Sequence, residues 1–140
     1  MVKLYVYERG TERLVDLAAR DAGNRFAILS LAQVEFRSAI RRQQRSGEIS
    51  GSEADALIDS LRQHAEGRFV VQPFTDALLD VAMVLIDAYP LRGFDAFQLA
   101  GYLMLRSLSG AEEPVFVCAD KALLSAARSE GCPTLDPSST

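Results

Sequence analysis

The chain has no tryptophan, a single histidine and only two cysteines among its 140 residues. The histidine, His64, lies in a polar stretch, which leaves Ser–His and Cys–His catalysis without a suitable base. The two cysteines, Cys118 and Cys132, do not form the ligand cluster that a zinc site needs. Because they are so few and lie in apolar surroundings, we expect two buried thiols in a reducing compartment.

Long apolar runs and glycine-rich phosphate loops are also missing. Asp80, Asp87 and Arg106 interrupt the longest apolar stretches, so none approaches the roughly 18 apolar residues of a membrane helix. The N-terminus lacks the extended apolar core of a signal peptide. None of the nine glycines belongs to a Walker or dinucleotide-binding loop. We therefore expect a cytoplasmic protein that does not enter a membrane.

The overall charge is negative, with fifteen basic and nineteen acidic residues and a formal net charge of −4. Such a chain has no global positive field that would attract nucleic acid. A polyanionic substrate would need a local basic patch or a bound metal ion. The hydrophobic content of 49% and the length are those of one globular domain, which we predict over residues 1–140.

Strand and helix patterns alternate along most of the chain. After a helix that Thr11 caps, at 12–20, the strands are predicted at 25–30, 69–74, 114–118 and 133–135. The helices between them are predicted at 31–45, 52–67 with Ser52 as its N-cap, 75–88, 94–108 and 121–129. This order predicts an α/β fold with a mostly parallel sheet between helices. The central strand that usually opens such a domain is absent from this chain.

Three carboxylates lie where helices begin or strands end. Glu35 lies on an otherwise apolar part of a helix, where it either pairs with Arg37 or Arg41 or serves a site. Asp95 lies at the start of a very apolar helix and is either its N-cap or a metal ligand. Asp120 follows a predicted parallel strand, at the edge where such sheets bind ligands, and is either an N-cap or a site residue. Three converging carboxylates would repel one another unless a metal ion bound them.

One helix carries the only dense basic run of the chain. Arg37, Arg41 and Arg45 recur at every fourth residue, and Arg42 lies beside them. Such a run is either a solvated surface or a set of contacts to a nucleic-acid backbone. Among metals, the candidate oxygen ligands favour Mg²⁺ or Mn²⁺ over zinc, because the chain lacks a Cys/His cluster.

Four stretches in this order resemble the PIN-domain nucleases, and within them the VapC-type toxins of bacterial toxin–antitoxin pairs. One looks like the first helix and the turn of that family, and the others carry its helix glutamate, its central aspartate and its strand-end aspartate. The four stretches are Val2–Gly10, Ile28–Glu35, Leu91–Ala100 and Val115–Asp120.

The chain departs from that family at its N-terminus. The family has a first strand ending in an aspartate, usually within Asp-Thr/Ser-Ser, just before the segment that Val2 begins here. The resemblance therefore implies that a central strand and a fourth acid are missing. We expect that Met1 is an internal codon read as the start, because loss of a central strand would leave its neighbours with unpaired backbone groups.

The resemblance implies a PIN-like three-layer α/β/α fold and a metal-dependent endoribonuclease. Glu35, Asp95 and Asp120 would hold Mg²⁺ or Mn²⁺, and the metal would activate water against an RNA phosphodiester bond. It also implies a homodimer and an antitoxin partner that blocks the pocket. The RNA-binding residues are expected to be Arg37, Arg41, Arg42 and Arg92.

Two other functions remain open. The missing aspartate is compatible with an inactive PIN-like module that only binds an antitoxin or RNA. A phosphotransfer or receiver-like domain would share the α/β architecture, although the sequence shows no phosphate loop or matching lysine motif.

Overall fold

The computed structural model describes residues 11–19 and 25–139. The stretch at 2–10 that contributes to the PIN-domain resemblance lies outside the described residues. The chain divides into two compact units, Met1–Pro73 and Phe74–Thr140, which we name the first and the second unit. The single domain over residues 1–140 stays a prediction.

The described part of the first unit combines two parallel strands with three helices. The strands pair in register from Phe26 opposite Phe69 to Leu29 opposite Gln72. Its elements are α1 (Thr11–Ala19), β1 (Phe26–Leu29), α2 (Leu31–Arg45), α3 (Gly51–Gly67) and β2 (Phe69–Gln72). Helices α2 and α3 pack through a buried apolar cluster, whose members are Phe36, Ile40, Ala54, Ile58 and Leu61. Burial of this cluster fixes which face of α2 remains in solvent.

Helix α3 begins with a capping box. Ser50 has an extended backbone, and its Oγ accepts a hydrogen bond from the Glu53 N–H at 3.2 Å. The Glu53 carboxylate accepts one in return from the Ser50 N–H at 2.7 Å. Hydrogen bonds from the backbone and the side chain of Ser50 to the carboxylate lower the pKa of Glu53. The prediction that Ser52 caps this helix is wrong, because Ser52 already lies within the helix.

The second unit repeats the alternation on a smaller scale. Strands β3 and β4 pair in parallel, with Phe116 opposite Thr134 and Val117 opposite Leu135. Its elements are α4 (Asp76–Ala88), α5 (Gly93–Leu108), β3 (Phe116–Val117), α6 (Lys121–Ser129) and β4 (Thr134–Leu135). Helix α5 packs against both α4 and α6. It is therefore the central helix of this unit.

The mixed α/β class and the parallel strand pairing predicted from the sequence are confirmed. Within the described residues the strands form two separate two-stranded sheets, β1–β2 and β3–β4, rather than one larger sheet. The strand predicted at 69–74 ends at Gln72, because Pro73 has no N–H to donate to a neighbouring strand. No helix in the described part of the chain is long and apolar enough to cross a membrane.

Candidate carboxylate site in the second unit

Asp95 lies in the first turn of α5. The N-cap of this helix is Arg92, whose extended backbone places its carbonyl to accept from the Ala96 N–H at 2.9 Å. The Asp95 carboxylate accepts a hydrogen bond from the backbone of Arg92. The alternative that Asp95 is itself the N-cap is therefore wrong. Because Ala96 and Leu99 are fully buried, packing fixes the turn that carries Asp95.

Asp120 is the N-cap of α6, as one of its two sequence interpretations stated. Its Oδ1 accepts a hydrogen bond from the Leu123 N–H at 2.9 Å. The residue comes three positions after β3 ends, so it lies beyond the carboxyl end of a parallel strand. Open α/β sheets place their ligands at that edge. Capping through Oδ1 leaves Oδ2 able to act as a ligand, so the two interpretations of Asp120 are compatible.

The two aspartates interact electrostatically. Burial raises the pKa of Asp95, and the negative charge of Asp120 raises it further. The Arg92 guanidinium and the hydrogen bond from the Arg92 backbone act in the opposite direction but do not cancel the effect. The negative charge of Asp120 therefore acts on the Asp95 carboxylate, and a cation bound there would offset that repulsion.

Cys118 interacts with these two aspartates, and the sequence did not lead us to expect it there. Its Sγ accepts a hydrogen bond from the Asp120 N–H at 3.2 Å. Burial and the charges of Asp120 and Asp95 raise the pKa of its thiol, against the hydrogen bond from the Asp120 backbone. The side chain is half-buried, so the prediction of a fully buried thiol is wrong for Cys118 and confirmed for Cys132. Its position just after a parallel strand, two residues before Asp120, was the available signal.

The other predicted metal ligand, Glu35, lies on α2 in the first unit and is half-buried. The structure therefore brings Asp95 and Asp120 together within the second unit, with Arg92 next to them. The role of Glu35 as a third ligand stays a prediction.

The arginines predicted to bind RNA have different surroundings. Arg37 and Arg42 are exposed on α2, and Arg92 lies at the start of α5. Arg41 instead forms an ion pair with Asp55 of α3, with 2.7 Å between Nη2 and Oδ1. This pair joins two helices of the first unit, so Arg41 has a structural contact that Arg37 and Arg42 do not share.

The donor set suits a hard divalent cation with few protein ligands. Within residues 11–19 and 25–139, no three His, Cys, Asp or Glu side chains are arranged to hold a metal ion. Mg²⁺ keeps several of its waters and is commonly bound through one or two carboxylates. Asp95 and Asp120 provide that number of carboxylates, so the pair fits such an ion.

Comparison with known proteins adds no relative. No protein-family model matches the chain, and no curated protein is significantly similar to it. The functional interpretation therefore depends on the residues described above and on the motif resemblance of the sequence.

Proposed function

We propose that this protein is a metal-dependent endoribonuclease with Asp95 and Asp120 at its centre. The observation that supports this most directly is the electrostatic effect of one aspartate on the other. Asp95 lies in the first turn of α5 and Asp120 caps α6, and burial and the negative charge of Asp120 raise the pKa of Asp95. Carboxylates held together in this way are common at functional sites.

Asp95 and Asp120 would hold Mg²⁺ or Mn²⁺. Such an ion lowers the pKa of a bound water and neutralises charge on the phosphate that is cleaved. Arg92 lowers the pKa of Asp95 and so favours the ionised form that a cation needs. Helix α5, whose Leu99 is fully buried, holds the first turn rigidly.

The biological setting that we propose follows from the PIN-domain resemblance. In that setting the protein is the VapC-type toxin of a type II toxin–antitoxin pair and acts on RNA as a homodimer. Its antitoxin would inhibit it by occupying the carboxylate site.

The experiment is an RNA cleavage assay of the wild-type chain and two variants, with Mg²⁺ or Mn²⁺ and with EDTA. Asp95→Asn removes one negative ligand with little change in size. We expect it to reduce cleavage at least about 100-fold, as loss of a group that stabilises transition-state charge does. The matched control is Asp87→Asn, which changes an exposed carboxylate of the same unit at the end of α4. It should retain wild-type cleavage.

Circular dichroism of the variants shows whether each retains its fold. Cleavage that survives Asp95→Asn, or that proceeds unchanged in EDTA, would contradict the proposed site. Wild-type protein that binds RNA but never cleaves it would contradict the enzyme and favour the binding-module alternative.

A further inference from the structure

We propose that Arg37, Arg42 and Arg45 of α2 form a binding surface for the phosphate backbone of a nucleic-acid strand. We name these three residues the arginine array. The array belongs to the first unit, and the inference does not depend on the carboxylate site of the second unit.

The array lies in a segment whose charge is opposite to that of the whole chain. Residues 36–47 contain four arginines and no aspartate or glutamate, whereas the chain has a net charge of −4. Three of these arginines have no ion-pair partner in the described part of the chain, and their positive charges along α2 create a local field. The segment is therefore the local basic patch that an acidic protein needs to bind a polyanion.

Arg41 is the exception among the four arginines, because it already has partners within the first unit. Its Nη2 lies 2.7 Å from Asp55 Oδ1, and its Nη1 donates to Gln44 Oε1 at 2.8 Å. No ion pair joins Arg37, Arg42 or Arg45 to another residue of the described part, and all three side chains are exposed. Their guanidinium groups therefore keep all their donors for a ligand.

The shape of the array suits an extended ligand. Phe36 and Ile40 are buried on the opposite face of α2, so the three arginines lie on the face of the helix that is exposed to solvent. From Arg37 to Arg45 the helix rises about 12 Å, because each residue adds about 1.5 Å. A nucleic-acid strand carries several phosphates over such a length. Each guanidinium group can bind one phosphate through two parallel hydrogen bonds.

The surroundings favour a nucleic acid over a membrane or a protein partner. A helix that binds a lipid surface inserts its apolar face, but the apolar face of α2 is buried in the core of the unit. Protein interfaces are centred on buried aromatic or apolar anchors. The exposed residues among and beside the arginines include the polar Ser38 and Ser46, and Val34 is a single exposed apolar side chain one turn before them. Contacts to phosphates alone do not distinguish one base or one sugar from another. RNA and DNA strands should therefore bind with similar affinity.

The test measures binding of short labelled single-stranded RNA and DNA of one sequence by fluorescence anisotropy, in EDTA, over a range of salt concentrations. The variant is the triple R37Q/R42Q/R45Q. We expect its slope of log affinity against log salt to be smaller by about two, because each phosphate contact on a single strand contributes about 0.7. At about 50 mM salt its affinity should fall at least tenfold.

The matched control is the double variant R41Q/R62Q, which removes two paired arginines of the same unit. Arg62 pairs with Asp59 and Glu66 on α3, as Arg41 pairs with Asp55. Per charge removed, the double variant should change the salt slope far less than the triple variant. Circular dichroism confirms that both variants are folded.

Three results would overturn the proposal. One is wild-type protein that binds neither oligonucleotide at low salt. Another is a triple variant whose loss per charge equals that of the control, which would make the arginines an ordinary solvated surface. The third is binding to phosphatidylserine vesicles in preference to oligonucleotides. Because binding is measured in EDTA, none of these results bears on whether Asp95 supports cleavage.

Discussion

The two units differ in charge, and the acids of α3 differ from Asp95 of α5 in their surroundings. The first unit has eleven basic and ten acidic residues, whereas the second has four and nine, which gives formal charges of +1 and −5. In the first unit, the acids of α3 have nearby partners. Asp55 pairs with Arg41, Glu53 closes the capping box, and Asp59 and Glu66 flank Arg62. In the second unit, Asp95 lies near another carboxylate, that of Asp120.

This contrast separates acids that stabilise the fold from acids that are available to a ligand. A carboxylate that is paired or hydrogen-bonded when ionised stabilises the folded state at neutral pH. A carboxylate whose pKa is raised by burial and by a second carboxylate destabilises it. Natural proteins retain groups that destabilise the folded state mainly at functional sites. The comparison therefore supports structural roles for the acids of α3, and it agrees with the functional role that we propose for Asp95.

The largest expected effect concerns the packing that holds Asp95 beside Asp120. Leu99 is fully buried on α5, and its replacement by alanine removes methyl groups and leaves a cavity. We expect Leu99→Ala to lower the free energy of unfolding by about 2–5 kcal/mol. Leu108→Ala changes the same helix at a residue that is 82% exposed and should cost less than about 0.5 kcal/mol. Urea denaturation measures both, and equal costs would show that α5 is not held by its buried face.

A smaller effect separates the two roles of Asp120. Asp120→Ala removes the acceptor for the Leu123 N–H and should cost about 0.5–2 kcal/mol of stability. Asp120→Asn keeps an acceptor of similar capping strength and should cost much less. Both variants should lose divalent-cation binding. If the asparagine variant still binds metal as tightly as wild type, Asp120 serves only as a cap.

The smallest expected effect is the change in stability when one aspartate is replaced by asparagine, and its sign should differ between the two units. Asp55→Asn breaks the ion pair with Arg41 and should lower stability by up to about 1 kcal/mol. Asp95→Asn should raise the melting temperature at neutral pH, because it removes a charge that burial and Asp120 disfavour.

The pH dependence of this gain follows from the raised pKa of Asp95. The folded state binds its proton more tightly than the unfolded state, so wild-type stability falls as the pH rises from the ordinary carboxyl range through the raised pKa. The advantage of Asp95→Asn should be complete above that pKa and vanish in acid, where both side chains are neutral. Melting curves across this range measure it, and a gain that persists in acid would contradict the electrostatic cause.

Local signals predicted several elements at their observed bounds. The helix predicted at 31–45 is α2, and that at 121–129 is α6. Thr75 caps α4 as predicted, through a hydrogen bond from the Leu78 N–H. These elements begin and end at residues whose side chains or backbone act within a few positions, so the sequence contains the information needed.

Contacts between distant residues could not be predicted in the same way. Arg41 and Asp55 are fourteen residues apart and meet only because α2 and α3 pack together. The effect of Asp120 on Asp95 likewise requires α5 and α6 to lie side by side. The sequence pointed to both aspartates as candidates. Their mutual repulsion depends on packing, and so does the place of Cys118 beside them.

The most direct test of the central claim is a calorimetric titration of Mn²⁺ into the wild-type protein and into Asp95→Asn and Asp87→Asn. Carboxylates that repel each other should bind a divalent cation, because its positive charge offsets their repulsion. We predict binding at one site in the wild type and in Asp87→Asn, and weakening of at least about tenfold in Asp95→Asn. Equal binding by all three proteins, or none by the wild type, would contradict the claim that Asp95 and Asp120 form a metal site.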